Sequence, residues 1–127
     1  MSFISFNKTS DTGAPDGLRI NTNAVLFVEA SRRELVGQAT IHMLGQGSMV
    51  NAVNQSIGTV VSEIGGLIAA TRHYLASQPD DGASTLYIRP ENVSYVRPNL
   101  AAAPEFWNIR FIDGSEVRVA SPLPLGL

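Results

Sequence analysis

The chain has 127 residues, no cysteine, and nine basic against eleven acidic side chains, for a formal charge of −2. That length suits a single domain over residues 1–127, large enough to bury about two-thirds of the surface its unfolded chain exposes. Disulfides, cysteine-based zinc sites, iron–sulfur ligation and thiol catalysis are excluded, and the acidic balance argues against a protein whose main work is neutralising phosphates.

In chain order, the segment Met1 to Lys8 lacks the basic start and continuous apolar stretch of a secretory signal, so a cytoplasmic location is expected. The first strong pattern is Leu18 to Ala30, which lies over Leu86 to Pro98 at a constant spacing of 68 residues, with Leu, Ile, Val, an aromatic and Val coinciding in order. Both stretches follow turn-forming lead-ins, Pro15-Asp16-Gly17 and Pro79-Asp80-Asp81-Gly82. Ile41 and Met43 match Ile109 and Phe111 at the same spacing, and Val50 and Ala52 match Val117 and Val119 at a spacing of 67. The reading is an α+β, β-dominated fold: two tandem, similar antiparallel β units, residues 18–53 and 86–120.

Alternation along a strand fixes each hairpin loop, because inward residues of both arms must share a face. In the second unit a loop Ile112-Asp113-Gly114 pairs Ile109 with Val117 and Trp107 with Val119. In the first, Gly45-Gln46-Gly47-Ser48 pairs Met43 with Val50 and Ile41 with Ala52. Between the units, Ile57, Val60, Val61, Ile64, Leu67, Ile68, Thr71, Tyr74 and Leu75 follow helical spacing, so one helix is predicted over about 56–77. Ser56 suits its N-cap, Arg72 and His73 its C-terminal end, and Pro79 its stop. The apolar run Ile57 to Ala70 is shorter than the ~20 residues a membrane span needs. The tail from Ser121 holds two prolines and reads as extended.

The order of strand pair, corner beginning with a polar residue, hairpin with a glycine turn and then helix resembles the short unit of the FlbD-like flagellar proteins, over residues 18–63 and again over 86–120. The resemblance rests on alternation and a turn glycine, and it implies an order of elements with no activity attached.

The outward face of the second hairpin sets Asn108 opposite Arg118 and Arg110 opposite Glu116, a solvated arrangement. The corresponding face of the first sets Leu44 opposite Met49, His42 opposite Asn51 and Thr40 opposite Val53, apolar groups where the other has charges. One side of the predicted helix carries Gly58, Ser62, Gly65, Gly66, Ala69 and Ala76, small residues that permit close approach of another backbone. Leu44, Met49, Val53, Gly58, Gly65 and Ala69 are therefore the expected self-association surface.

His42 reads as a strand-edge residue and His73 as a helix cap, without the acidic company of a metal site. No serine sits in a nucleophile elbow, no phosphate-loop string occurs, and Asp80-Asp81 belongs to a turn. No catalytic residue, cofactor, metal or small-molecule ligand is expected. The competing pattern is the second unit's alternation of aromatics with arginine. It makes Arg89, Arg97, Arg110 and Arg118 candidate nucleic-acid contacts, although the spacing of 68 places Tyr95 and Trp107 inward and Glu91, Glu105, Asp113 and Glu116 offset the charge. The expected function is a non-catalytic interaction or structural protein that self-associates into a homo-oligomer. The alternative is a nucleic-acid-binding accessory protein, and no membrane partner is expected.

Overall fold

A computed structural model describes residues 3–9, 15–31, 37–46, 51–73, 85–101 and 105–127. In the first half, β1 (Phe3–Thr9) and β2 (Pro15–Asn21) form a hairpin whose pairs Ile4↔Ile20 and Phe6↔Leu18 put four apolar residues on one face. The Asn21 side chain accepts the Asn23 N–H and starts a 3-10 turn, Thr22–Ala24, that reverses the chain into β3 (Val25–Ala30). A meander continues through β4 (Ala39–Met43) and β5 (Asn51–Val53). Gly37 opens β4 with φ 131°, and a Cβ there would lie 2.8 Å from the Val53 carbonyl oxygen, so β5 can approach only a glycine. Helix α1 (Ile57–Ile64) then closes the first core, with Val60 and Ile64 buried against Phe6, Ile20, Val25 and Ile41. Each such buried aliphatic side chain contributes about 1.5–3 kcal/mol.

The helix is much shorter than the apolar spacing predicts. Ser56 caps it as expected, its Oγ accepting the Thr59 N–H at 3.3 Å. Gly65 and Gly66, however, adopt φ of 73° and 71°, left-handed conformations that end the helix. The chain continues as a strand, β6 (Ile68–Thr71), so Gly65 is a helix cap and Ala69 a strand residue. Helical and extended readings of Leu67 to Thr71 compete, and pairing along a neighbouring strand wins over a third helical turn that would have to pass two glycines. Tyr74, Leu75, Ala76 and the Pro79 turn lie outside the described residues.

The second half comprises β7 (Thr85–Ile88), a 3-10 turn Pro90–Asn92, β8 (Val93–Asn99), β9 (Phe106–Phe111) and β10 (Glu116–Ala120). Its hairpin has the expected register, Ile109↔Val117 and Trp107↔Val119. Ile109, Phe111, Val117 and Val119 pack with Leu86, Ile88, Leu26 and Phe27 into a second core, and tail residues Leu123 and Leu127 dock at its rim. In the first hairpin the register differs from expectation by one residue: Ile41 opposes Asn51, and Ala39 opposes Val53. This places Ala39, Ile41 and Val53 together in the first core. The Asn51 amide is satisfied by Gln46 Oε1 at 2.8 Å and the Ile41 carbonyl at 3.3 Å. Val53 is fully buried and cannot belong to an outer surface.

The strand order is β2-β1-β5-β4-β3-β7-β6 in one sheet and β10-β9-β8 in the other, the two being linked by an Arg72↔Val119 bridge and by the His73 N–H to the Arg118 carbonyl, 3.0 Å. The strands therefore run as two sets of five, β2-β1-β5-β4-β3 followed by β7-β6-β10-β9-β8. Several details of the first set recur in the second. A bulge falls between Val25 and Phe27 against β4, and between Val93 and Tyr95 against β9. The Leu44 N–H bonds the Ala24 carbonyl at 2.8 Å, and the Ile112 N–H bonds the Asn92 carbonyl at 3.0 Å. Ile4↔Ile20 is matched by Ile68↔Ile88, and Lys8↔Val53 by Arg72↔Val119. The correspondence stops at α1, whose place after β10 is taken by the docked tail.

The sets meet where β7 adds to the edge of β3 with Phe27↔Ile88, Val28↔Tyr87 and Glu29↔Leu86. The buried Asn92 side chain clasps this joint, donating to the Asn23 carbonyl at 2.8 Å and the Val25 carbonyl at 2.7 Å. Replacing Asn92 by Ala strips those acceptors in a place water does not reach, and is expected to lower unfolding free energy by about 1–3 kcal/mol in denaturant titrations.

Candidate functional site

Three groups of side chains stand out once the strands are placed. The first is the outer face of the three-stranded sheet. The bulge before Tyr95 turns that residue outward, contrary to the inward position expected from spacing, and leaves it 45% exposed. Tyr95 and Arg97 of β8, Asn108 and Arg110 of β9, and Glu116 and Arg118 of β10 then share one face through the pairs Tyr95↔Arg110, Arg97↔Asn108, Arg118↔Asn108 and Glu116↔Arg110. Arg110 bonds Glu116 Oε2 at 3.0 Å and the Gly114 carbonyl at 3.2 Å, with its guanidinium 5.9 Å from the Tyr95 ring centre. Arg118 lies over Phe106, 5.2 Å from its centroid, and Phe106 also stacks on His73. Trp107 is half-buried and packs on the second core, as its spacing predicts. Arg89 is not part of this face. It is buried, its Nη2 donating to the Gly65 carbonyl at 3.2 Å, so it serves the end of α1.

The second group is at the hairpin tips. Leu44 is 39% exposed and Ile112 55% exposed. The two loops are tied together by the Gly45 N–H, which donates to Asp113 Oδ2 at 3.1 Å. Asp113 also accepts from the Ser115 N–H at 2.9 Å and the Ser115 hydroxyl at 2.6 Å. Met49 lies outside the described residues. Gly58 is on the solvent side of α1 with open space where a Cβ would stand, and Gly65 is likewise open. Ala69 lines a shallow groove of about 380 Å³ with Thr71, Thr85, Ala120, Ser121 and Pro124. The self-association residues expected from sequence are thus scattered: Leu44 at a tip, Gly58 and Gly65 on the helix, Ala69 on the groove and Val53 in the core.

The third group is buried and was not singled out from sequence. Glu29, 1% exposed, engages both carboxylate oxygens, Oε1 in a hydrogen bond with His42 Nε2 at 2.9 Å and Oε2 in an ion pair with Arg72. The His42 ring stacks on Phe27 at 4.1 Å, and Phe27 on Phe111 at 5.6 Å. Beside them the hydroxyls of Ser31 and Thr40 share a hydrogen bond of 3.1 Å. A carboxylate engaged through both oxygens this deep is a strut joining β3 and β4 to the end of β6, and removing it would take from the half-buried Arg72 the acid it pairs with. The available signal was an acid inside the run Val25-Leu26-Phe27-Val28-Glu29-Ala30, where only a paired carboxylate can be buried.

No protein-family model, curated protein or solved structure matches this chain. No helix among the described residues is long and apolar enough to cross a membrane.

Burial pushes the Asp113 carboxyl up, but the hydrogen bonds from Ser115 and Gly45 outweigh it and hold the group below its ordinary 3.8. A lowered folded pKa adds stability above the unfolded carboxyl's pKa, and that stability is lost as pH falls through the folded value. The stability difference between the native chain and Asp113→Asn is therefore expected to be steady near neutral pH and to shrink as pH drops below 3.8, measured by denaturant unfolding across an acid series.

Proposed function

We propose that this chain is a non-catalytic structural or interaction protein that associates with copies of itself. The observation that carries the reading is the pair of hairpin tips, where Leu44 and Ile112 stay exposed on loops that the Gly45–Asp113 hydrogen bond holds side by side. Branched apolar side chains gain free energy by leaving water, and the Gly45–Asp113 hydrogen bond keeps the two close enough to do so together. Light scattering over a concentration series is expected to show a mass above that of one chain. Leu44→Lys combined with Ile112→Lys removes at least one buried aliphatic contact per subunit, and should move half-association to about tenfold higher concentration or beyond. A mass of one chain at the highest concentration reached overturns the reading.

A second reading, a nucleic-acid-binding accessory protein, is favoured by one arrangement: Tyr95, Arg97, Arg110 and Arg118 lie on a single sheet face. Such a face offers one stacking ring and guanidinium groups for phosphates, with Glu116 as its acidic member. Gel retardation of a single strand or duplex at low salt, weakening as salt rises and lost in an Arg97→Ala, Arg110→Ala double variant, is the expected result on that reading. Absence of a retained complex at low salt ends it.

A further inference from the structure

We propose that copies of this chain join head to tail by strand addition, the outer edge of β8 in one copy taking the outer edge of β2 in the next. The proposal rests on the self-association reading and adds to the hairpin tips a second, separate contact between copies.

The chain already makes this kind of joint once. Inside the molecule, the edge of β3 is completed by β7 through Phe27↔Ile88, Val28↔Tyr87 and Glu29↔Leu86, with the Arg89 N–H reaching the Leu26 carbonyl at 3.0 Å. Counting on by 68 residues, the bulge of β3 recurs in β8, and the 3-10 turn leading into β3 recurs as the turn leading into β8, each closed by the N–H of the following valine. Counting back by 68, β7 falls on β2, and each of these strands has its hairpin partner on one side, β6 or β1. In the strand order β2 and β8 are the two end strands, and among the described residues neither has a strand against its outer edge. One molecule thus presents, at opposite ends of its strand order, the two halves of the joint it uses in its middle.

Transferring the internal register sets Tyr95 opposite Ile20, Val96 opposite Arg19, and Arg97 opposite Leu18 of the next copy. This ladder ends one residue before Pro98, which lacks the N–H a longer ladder would require. The side chains flanking the joint have changed in a consistent direction. Leu26, Phe27 and Glu29 on β3 become Ser94, Tyr95 and Arg97 on β8, Tyr87 on β7 becomes the exposed Arg19 on β2, and the clasping Asn92 has Ala24 in its place. The open joint keeps the backbone complementarity and an aromatic, and it buries less apolar surface. It forms at high concentration and opens on dilution, where the internal joint is permanent. Because the two edges differ, the contact is heterologous, and repeated copies close into a ring or extend as a filament.

The absence of native cysteine makes the test direct. Opposed residues in an antiparallel pair have Cα atoms about 4.5–5.5 Å apart, within the reach of a disulfide. On oxidation the Arg19→Cys, Val96→Cys double variant is expected to give a ladder of covalent oligomers on non-reducing electrophoresis. A mixture of the two single variants should give a covalent dimer that neither gives alone. If Val96→Cys impairs folding, Leu18→Cys with Arg97→Cys tests the adjacent pair. A disulfide formed only within one chain, or a dimer from Val96→Cys alone, overturns the proposal, since β8 then pairs with its own β2 or with another β8. Failure to cross-link in a protein that scatters as an oligomer overturns this joint and leaves self-association standing, whereas a one-chain mass throughout removes both.

Discussion

Three residue pairs between β3 and β7 hold two sets of five strands in one molecule. A ladder that short would be weak in water, where each peptide hydrogen bond nets about 0.5–1.5 kcal/mol. Here it runs between two cores. Val28 and Tyr87 look into the first core, and Leu26, Phe27, Leu86 and Ile88 into the second. Both faces of the ladder are covered, so its hydrogen bonds compete little with water and its side chains add burial in both directions. Asn92 completes the joint by satisfying two carbonyls that strand pairing leaves free. The cores, the tips and the outer faces all take their positions from this seam.

The buried network around Glu29 follows from the same geometry. Once β7 adds to β3, the outer side of β3 is roofed by the second set, and Glu29 has no route to solvent. His42 on the neighbouring strand and Arg72 at the end of β6 supply its partners. Replacing such a network with apolar residues of similar volume is often neutral for stability, so its value lies in fixing which strands meet. A slip of β4 by one residue would turn His42 away from Glu29 and Ile41 out of the core together.

Much of this was legible in the residues, for identifiable reasons. The β9–β10 hairpin could be placed pair by pair because its loop is short and ends in Gly114, leaving one register in which Ile109 and Val117 share a face. The β4–β5 hairpin could not, because Asn51 occupies a buried position that alternation assigns to an apolar residue, and only its bonds to Gln46 and Ile41 make that tolerable. The helix was legible to Ile64 and then overextended, since Leu67, Ile68 and Thr71 satisfy helical spacing by coincidence while two consecutive glycines decide the backbone. Tyr95 was misplaced by a bulge, a one-residue irregularity that inverts every later side chain. Of the arginines, Arg97, Arg110 and Arg118 share a face because they lie on adjacent strands, and Arg89 is drawn inside by the free carbonyl of Gly65.

The placement of α1 has a consequence for how the chain is made. The first core is closed by residues 57–64, which follow β5 directly, so that half can condense on the ribosome from contacts already synthesised. Its β3 edge cannot be covered until Thr85–Ile88 emerges, and the roof over Leu26, Phe27 and Glu29 arrives later still, with β9 and β10. During that interval the nascent protein carries a bare apolar strand edge, the kind of surface that nascent chains on neighbouring ribosomes can pair with. The order of elements therefore makes the seam that unites the finished molecule its most vulnerable surface during synthesis.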